Sequence, residues 1–168
     1  DRYGFNNPDS EWNSREVEWL LTGDSFTLGS NVQPGQEIAS QIRSITDNSV
    51  ISLGMSGNGP LIEYAALVEY SKALKPAKVL WVYFEGNDLV VDIQRDKDNP
   101  LLMQYMEDGF SQNLINRQKE IDSRLGKYII SAQAQAKEQA QVQPYNTQWN
   151  VFREKIRLLN RVKDVLKG

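Results

Sequence analysis

The sequence predicts an α/β fold built on a doubly wound parallel sheet, and three observations carry that expectation. Three short apolar runs, at 16–22, 50–53 and 78–84, alternate with two stretches of helical periodicity. Strand–helix–strand–helix–strand order closes through right-handed crossovers into a sheet with helices on both faces. Each apolar run also ends in a loop of small residues: Gly23-Asp24-Ser25-Phe26-Thr27, Gly54-Met55-Ser56-Gly57-Asn58-Gly59 and Glu85-Gly86-Asn87-Asp88. Finally, 168 residues suffice for one domain with its own core and leave little room for a second.

In chain order, residues 1–15 are polar and rich in turn formers, with Gly4, Asn6, Asn7, Pro8 and Asp9 close together. Tyr3, Phe5 and Trp12 are the side chains expected to pin this lead-in onto the domain. Residues 16–22 read as the first strand, stopped at Gly23. Ile38, Ile42 and Ile45 recur at i, i+4 and i+7, the spacing of one apolar helix face, and place a helix over 36–46. Residues 50–53 form the second, buried strand, and Pro60 opens a helix whose first turn its fixed φ favours. That helix runs to Leu74, with Leu61, Ala65 and Val68 inward, and is broken by Pro76. Residues 78–84 form the third strand. Trp81 and Tyr83 alternate there with Leu80 and Val82 and are expected to pack in a core on both faces.

The second half differs. Residues 92–109 are charged and read as irregular. A helical period then runs through Phe110, Leu114, Ile121, Leu125 and Ile129 into the alanine- and glutamine-rich stretch 131–143, which Pro144 ends. That stretch lacks the sustained heptads of a coiled coil. Trp149, Phe152, Ile156, Leu159 and Leu166 mark a last amphipathic helix, with Arg153, Lys155 and Arg157 on its wet side. The resulting division is a lead-in at 1–15, an α/β core at 16–91 and a helical extension at 92–168. Three strands are few for this architecture, so the domain is expected to continue beyond residue 168. The chain opens on Asp1, and an upstream segment, with any anchor or export signal, is expected as well.

Composition narrows the function classes. The 19 basic and 22 acidic residues give a formal charge of −3, without the basic stripe of a nucleic-acid binder. The longest apolar run, 79–84, is far short of the ~20 residues that span a bilayer. There is no cysteine and no histidine, which excludes disulfides, thiolate metal sites and imidazole as ligand or general base.

In a parallel sheet the three small-residue loops share one edge, outside the carboxyl ends of the strands, where open α/β sheets bind ligands. Ser25 is thereby expected near the Gly57 backbone and the Asn87 side chain. The Gly-Asp-Ser of 23–25, Gly57, and the Gly-Asn-Asp of 86–88 resemble, in order and each on its strand end, the first three conserved blocks of the SGNH (GDSL-type) hydrolase superfamily. The third block is compressed from its usual G-x-N-D. The opening residues 1–12 are similar to the lead-in of membrane-tethered bacterial members.

The resemblance implies a flavodoxin-like, three-layer parallel sheet of the SGNH type. It also implies a serine esterase or O-acyltransferase that works through an acyl-enzyme with neither metal nor organic cofactor. Ser25 is then the nucleophile. The Ser25 and Gly57 N–H groups and the Asn87 carboxamide form the oxyanion hole, and Asp24 and Asp88 brace the loops. The substrate class implied is a small acyl ester, such as an acetylated glycan or lipid, met outside the cytoplasm. One departure stands out. The family's D-x-x-H block, which supplies the general base, is absent: neither Asp122 nor Asp164 is followed by a histidine. The block is expected downstream of residue 168; without it this chain alone is inactive.

Other readings of the same residues are open. Ser25 serves as a helix cap in one, and a non-catalytic relative keeps the pocket to bind a ligand or partner in another. A third takes Thr27 and Ser30 as the hydroxyls of a flavodoxin-like mononucleotide loop, although Pro34-Gly35 delays the following helix and so weakens a phosphate site at its N-terminus. Glu85 could face the pocket, with a structural role as its default.

Overall fold

The computed structural model describes residues 1–14 and 16–142, with side chains through 137. The chain divides into two compact units, Asp1–Gln118 and Lys119–Gly168. The elements of the first are β1 (Trp19–Gly23), α1 (Ser25–Leu28), α2 (Ile38–Thr46), β2 (Val50–Ser52), α3 (Pro60–Leu74), β3 (Lys78–Val82), α4 (Ile93–Lys97) and α5 (Pro100–Met103). The described part of the second unit belongs to α6 (Gln118–Val142). Alanine, glutamine, lysine and glutamate there are strong helix formers, and Glu120 pairs with Arg124 one turn on, at 2.9 Å.

The sheet is parallel, in the order β2-β1-β3. Alternation along β1 sends its side chains to two cores. Leu20 joins Val17, Ile51, Leu53, Tyr70 and Leu74 on the α3 face, while Leu21 joins Ala39 and Val50 on the α2 face. Leu20, Leu21, Val50, Ile51 and Leu53 are fully buried, each worth about 1.5–3 kcal/mol of transfer free energy.

The lead-in closes the first core. Tyr3, Phe5 and Trp12 pack against it, and the Tyr3 and Trp12 rings meet edge-on at 4.5 Å. The lead-in also plugs the outer edge of β2. The Asn7 carboxamide donates to the Ser52 carbonyl (2.9 Å) and accepts from the Ser52 N–H (2.8 Å). Glu11 accepts from the Val50 N–H and Arg43 donates to the Val50 carbonyl. Side chains thus satisfy backbone groups that a fourth strand would otherwise pair.

Four features depart from the expectations above. β3 is not buried on both faces. Among the described residues it lies at the sheet edge and pairs only with β1, and Val79 and Trp81 on it and Tyr83 just beyond it are 51%, 44% and 44% exposed. A continuous apolar run marks a strand covered on both sides, and among the described residues β3 has no neighbour strand on its outer flank. The face predicted for α2 is also narrower: Ile38 and Ile42 pack against the second core, but Ile45 is 79% exposed. Residues 92–109, expected to be irregular, wind into short helical turns. Residues 110–114 are not helical, because Phe110 packs edge-on against Tyr105 (4.9 Å) and the long helix starts only at Gln118. The expected stop at Pro144 and the last helix, with Trp149, Arg153, Lys155 and Arg157, lie outside the described residues.

Candidate functional site

The three strand-end loops meet because β1 lies between its partners. The Met55 N–H donates to the Gly23 carbonyl at 3.3 Å, which ties the β2 loop to the end of β1. A Cβ on Gly23 would stand 2.5 Å from the Val82 carbonyl and closer still to the Thr27 hydroxyl. Phe26 and Phe84 bring the β1 and β3 loops together, ring to ring, at 5.1 Å. Gly54 passes so close to α1 that a Cβ would lie 2.5 Å from the Leu28 nitrogen.

Ser25 is the first residue of α1 and is half-buried. The cap is Asp24, whose side chain accepts from the Phe26 N–H at 2.9 Å; Ser25 does not cap. The Ser25 hydroxyl has no hydrogen-bond partner among the described residues. Gly57 sits in the turn closed by the Asn58 N–H on the Met55 carbonyl (3.2 Å). Its φ of +81° favours glycine, and a Cβ there would enter open space. Its N–H likewise donates to no described residue.

Asn87 precedes a helical turn over Asp88–Asp92, whose Val91 and Asp92 N–H groups donate to its carbonyl at 2.9 and 3.0 Å. One N–H of its carboxamide donates to Asp92 Oδ2, while Oδ1 is buried without a partner. The reverse orientation would set two oxygens against each other, so the donor side is fixed and its second N–H stays open. No hydrogen bond joins Ser25, Gly57 and Asn87 to one another among the described residues. Their loops are brought together by the Met55–Gly23 hydrogen bond and the Phe26–Phe84 ring contact.

Around this edge lie five buried carboxylates: Asp24, Glu63, Asp88, Asp92 and Asp96, none more than 5% exposed. Asp88 accepts from the Phe84 N–H at 2.7 Å and braces the β3 loop. Burial raises its pKa, and the neighbouring carboxylates Asp24, Asp92 and Asp96 push the same way. Glu63, on α3, accepts from the Trp81 indole; burial, with Asp88, Asp24 and Asp96 nearby, lifts its pKa to about 7. Asp96 receives the Leu61 and Ile62 N–H groups at the start of α3 (3.1 and 3.4 Å), where a negative charge meets the helix dipole. Among the described residues no three Asp, Glu, Cys or His side chains are arranged to hold a metal ion.

The other sequence candidates sit less favourably. Thr27 is 1% exposed, packed under Gly23 and Gly54 away from solvent. Ser30 and Glu85 are exposed. A cavity of about 640 Å³, lined by Tyr64, Lys72, Tyr105 and Phe110 among others, shares no residue with the three loops.

The sequence reading overlooked Glu63, Asp92, Arg95 and Asp96. Two signals were present: an acidic residue inside the apolar run 60–74, and Asp92, Arg95 and Asp96 at i, i+3 and i+4, one face of a helix. Comparison of the chain with protein families, with curated proteins and with solved structures returns no match.

Proposed function

We propose that this edge is the nucleophile site of a serine ester hydrolase or O-acyltransferase of the SGNH type, on a flavodoxin-like sheet. One observation carries the reading: an unpartnered serine hydroxyl, an unpartnered glycine N–H and an oriented, half-used carboxamide stand on three loops that meet at one sheet edge. In the proposed reaction, Ser25 Oγ bonds to the ester carbonyl carbon and its proton passes to a base. The Ser25 and Gly57 N–H groups and Asn87 receive the oxyanion. The alcohol then leaves with a proton, and water or an acceptor hydroxyl takes the acyl group from Ser25. The resemblance points to a small acyl group, such as acetyl, on an envelope glycan or lipid, with no cofactor.

Residues 1–168 contain no histidine, so the test supplies imidazole as the proton acceptor. A serine-directed fluorophosphonate is incubated with the protein across a series of imidazole concentrations, and adducts are located by peptide mass. Ser25 attack forms the O–P bond, fluoride leaves and imidazole takes the proton. The reading expects one adduct, on Ser25, at a rate that rises with imidazole and is absent in Ser25→Ala. An unmodified Ser25 overturns it and favours the second reading, a non-catalytic ligand-binding relative.

A further inference from the structure

We infer that Arg95 is a positioning residue that sets the Gly57 and Asn87 donors relative to each other. The inference rests on the proposed acyl-transfer site and names a group beyond it. Arg95 lies on α4, outside all three loops, yet its guanidinium reaches one of them directly and a second through Asp92. Nη2 donates to the Gly57 carbonyl at 2.9 Å. Nη1 pairs with Asp92 Oδ1 at 2.8 Å, and the other oxygen of the same carboxylate holds the Asn87 carboxamide. The order Asn87–Asp92–Arg95–Gly57 is a continuous polar chain from the loop after β3 to the loop after β2.

Each link constrains one degree of freedom. The Asp92 carboxylate fixes which face of the carboxamide donates, because only the N–H side can meet it. Asp92 is 5% exposed, and its bond from the Asn87 carboxamide is charge-assisted, while the Arg95 side chain is half exposed. The Gly57 turn is held at both ends, by Gly23 through Met55 and by Arg95 on the Gly57 carbonyl. A glycine at φ +81° has no side chain to restrain it, so this external bond does what a Cβ cannot. Behind the guanidinium, Asp96 Oδ1 lies 3.5 Å from Nη2, and its Oδ2 holds the first N–H groups of α3. The fork is thereby referred to a 15-residue helix. A lysine could answer the charge of Asp92 but not span both bonds with one planar group.

The test uses the imidazole-assisted fluorophosphonate reaction at Ser25, with the limiting rate constant and the fraction of protein labelled recorded separately. Arg95→Gln and Arg95→Lys are both expected to lower the limiting rate constant, on the order of tenfold, because a donor displaced by a fraction of an ångström loses its aim. Reagent affinity and the labelled fraction stay at the wild-type values. In an Asn87→Ala background the same Arg95 substitution costs much less, since one of the two donors it sets is gone. A purely structural Arg95 would lower the labelled fraction at an unchanged rate constant, or cost the same with and without Asn87; either result overturns the inference. Failure of the wild-type protein to react at Ser25 is a different outcome and sinks the acyl-transfer reading itself.

Discussion

The Trp81 indole on β3 donates to the Glu63 carboxylate on α3, and this bond joins the exposed edge strand to the helix that covers the first core. The Glu63 carboxylate that accepts it has no exposure to solvent, and its second oxygen, Oε1, is left without a partner. That arrangement suits a carboxyl that keeps its proton.

The pH dependence follows from that proton. Burial, with Asp88, Asp24 and Asp96 close by, raises Glu63 from 4.5 to about 7, so between those values the folded chain holds a proton that the unfolded chain has released. Stability is present below about pH 4.5 and lost as pH rises towards 7, by on the order of 3 kcal/mol. The difference between wild-type and Glu63→Gln urea midpoints should therefore shrink or reverse across that window, with Trp81 fluorescence as the local probe. Parallel pH profiles would show that folding leaves the Glu63 pKa unshifted.

Glu69 makes the opposite case. Burial alone would raise it, but the Leu114 and Gln112 N–H groups and the Tyr105 and Ser111 hydroxyls all donate to it, at 2.6–3.0 Å, and its pKa falls. Its contribution is present above the unfolded carboxylate pKa and lost as pH falls through the folded one. Glu69→Ala orphans several donors at once and should cost about 2–4 kcal/mol. Hydrogen exchange should rise first over 105–114, the segment that this carboxylate ties to α3.

Asn87→Asp tests the donor with almost no change of shape. It removes the N–H that meets Asp92 and sets a third carboxylate beside Asp88 and Asp92. The rate of Ser25 phosphonylation with imidazole should fall by roughly 10²–10³-fold, the range for loss of one oxyanion donor. A loss of less than twofold would remove Asn87 from the site.

Gly23→Ala probes the close approach at the end of β1. The added methyl would meet the Thr27 hydroxyl on α1 and the Val82 carbonyl on β3, so relief requires β3 or α1 to move. A loss of about 1–3 kcal/mol in chemical denaturation is expected. Gly57→Ala meets no such atom and carries only the backbone strain of its positive φ, so its cost should be the smaller.

What the sequence determined by itself is the local grammar: three strands within 16–23, 50–53 and 78–84, a helix opened by Pro60, and a run of helix formers that becomes α6. Periodicity and turn chemistry act over a few residues, and parallel order then forces three loops to one edge. Tertiary structure decided the rest. Trp81 and Tyr83 read as core yet are exposed, one on an edge strand and the other just beyond it, because burial depends on what lies alongside and no periodicity records that. Asp92, Arg95 and Asp96 read as a solvated charged stretch, yet α4 folds back on the start of α3 and turns them into the fixings of Asn87 and Gly57. Glu63 and Glu69 share one apolar helix but have pKa values shifted in opposite directions, since burial dominates at Glu63, with one donor and other carboxylates nearby, while Glu69 meets four donors, a difference set by neighbours distant in sequence.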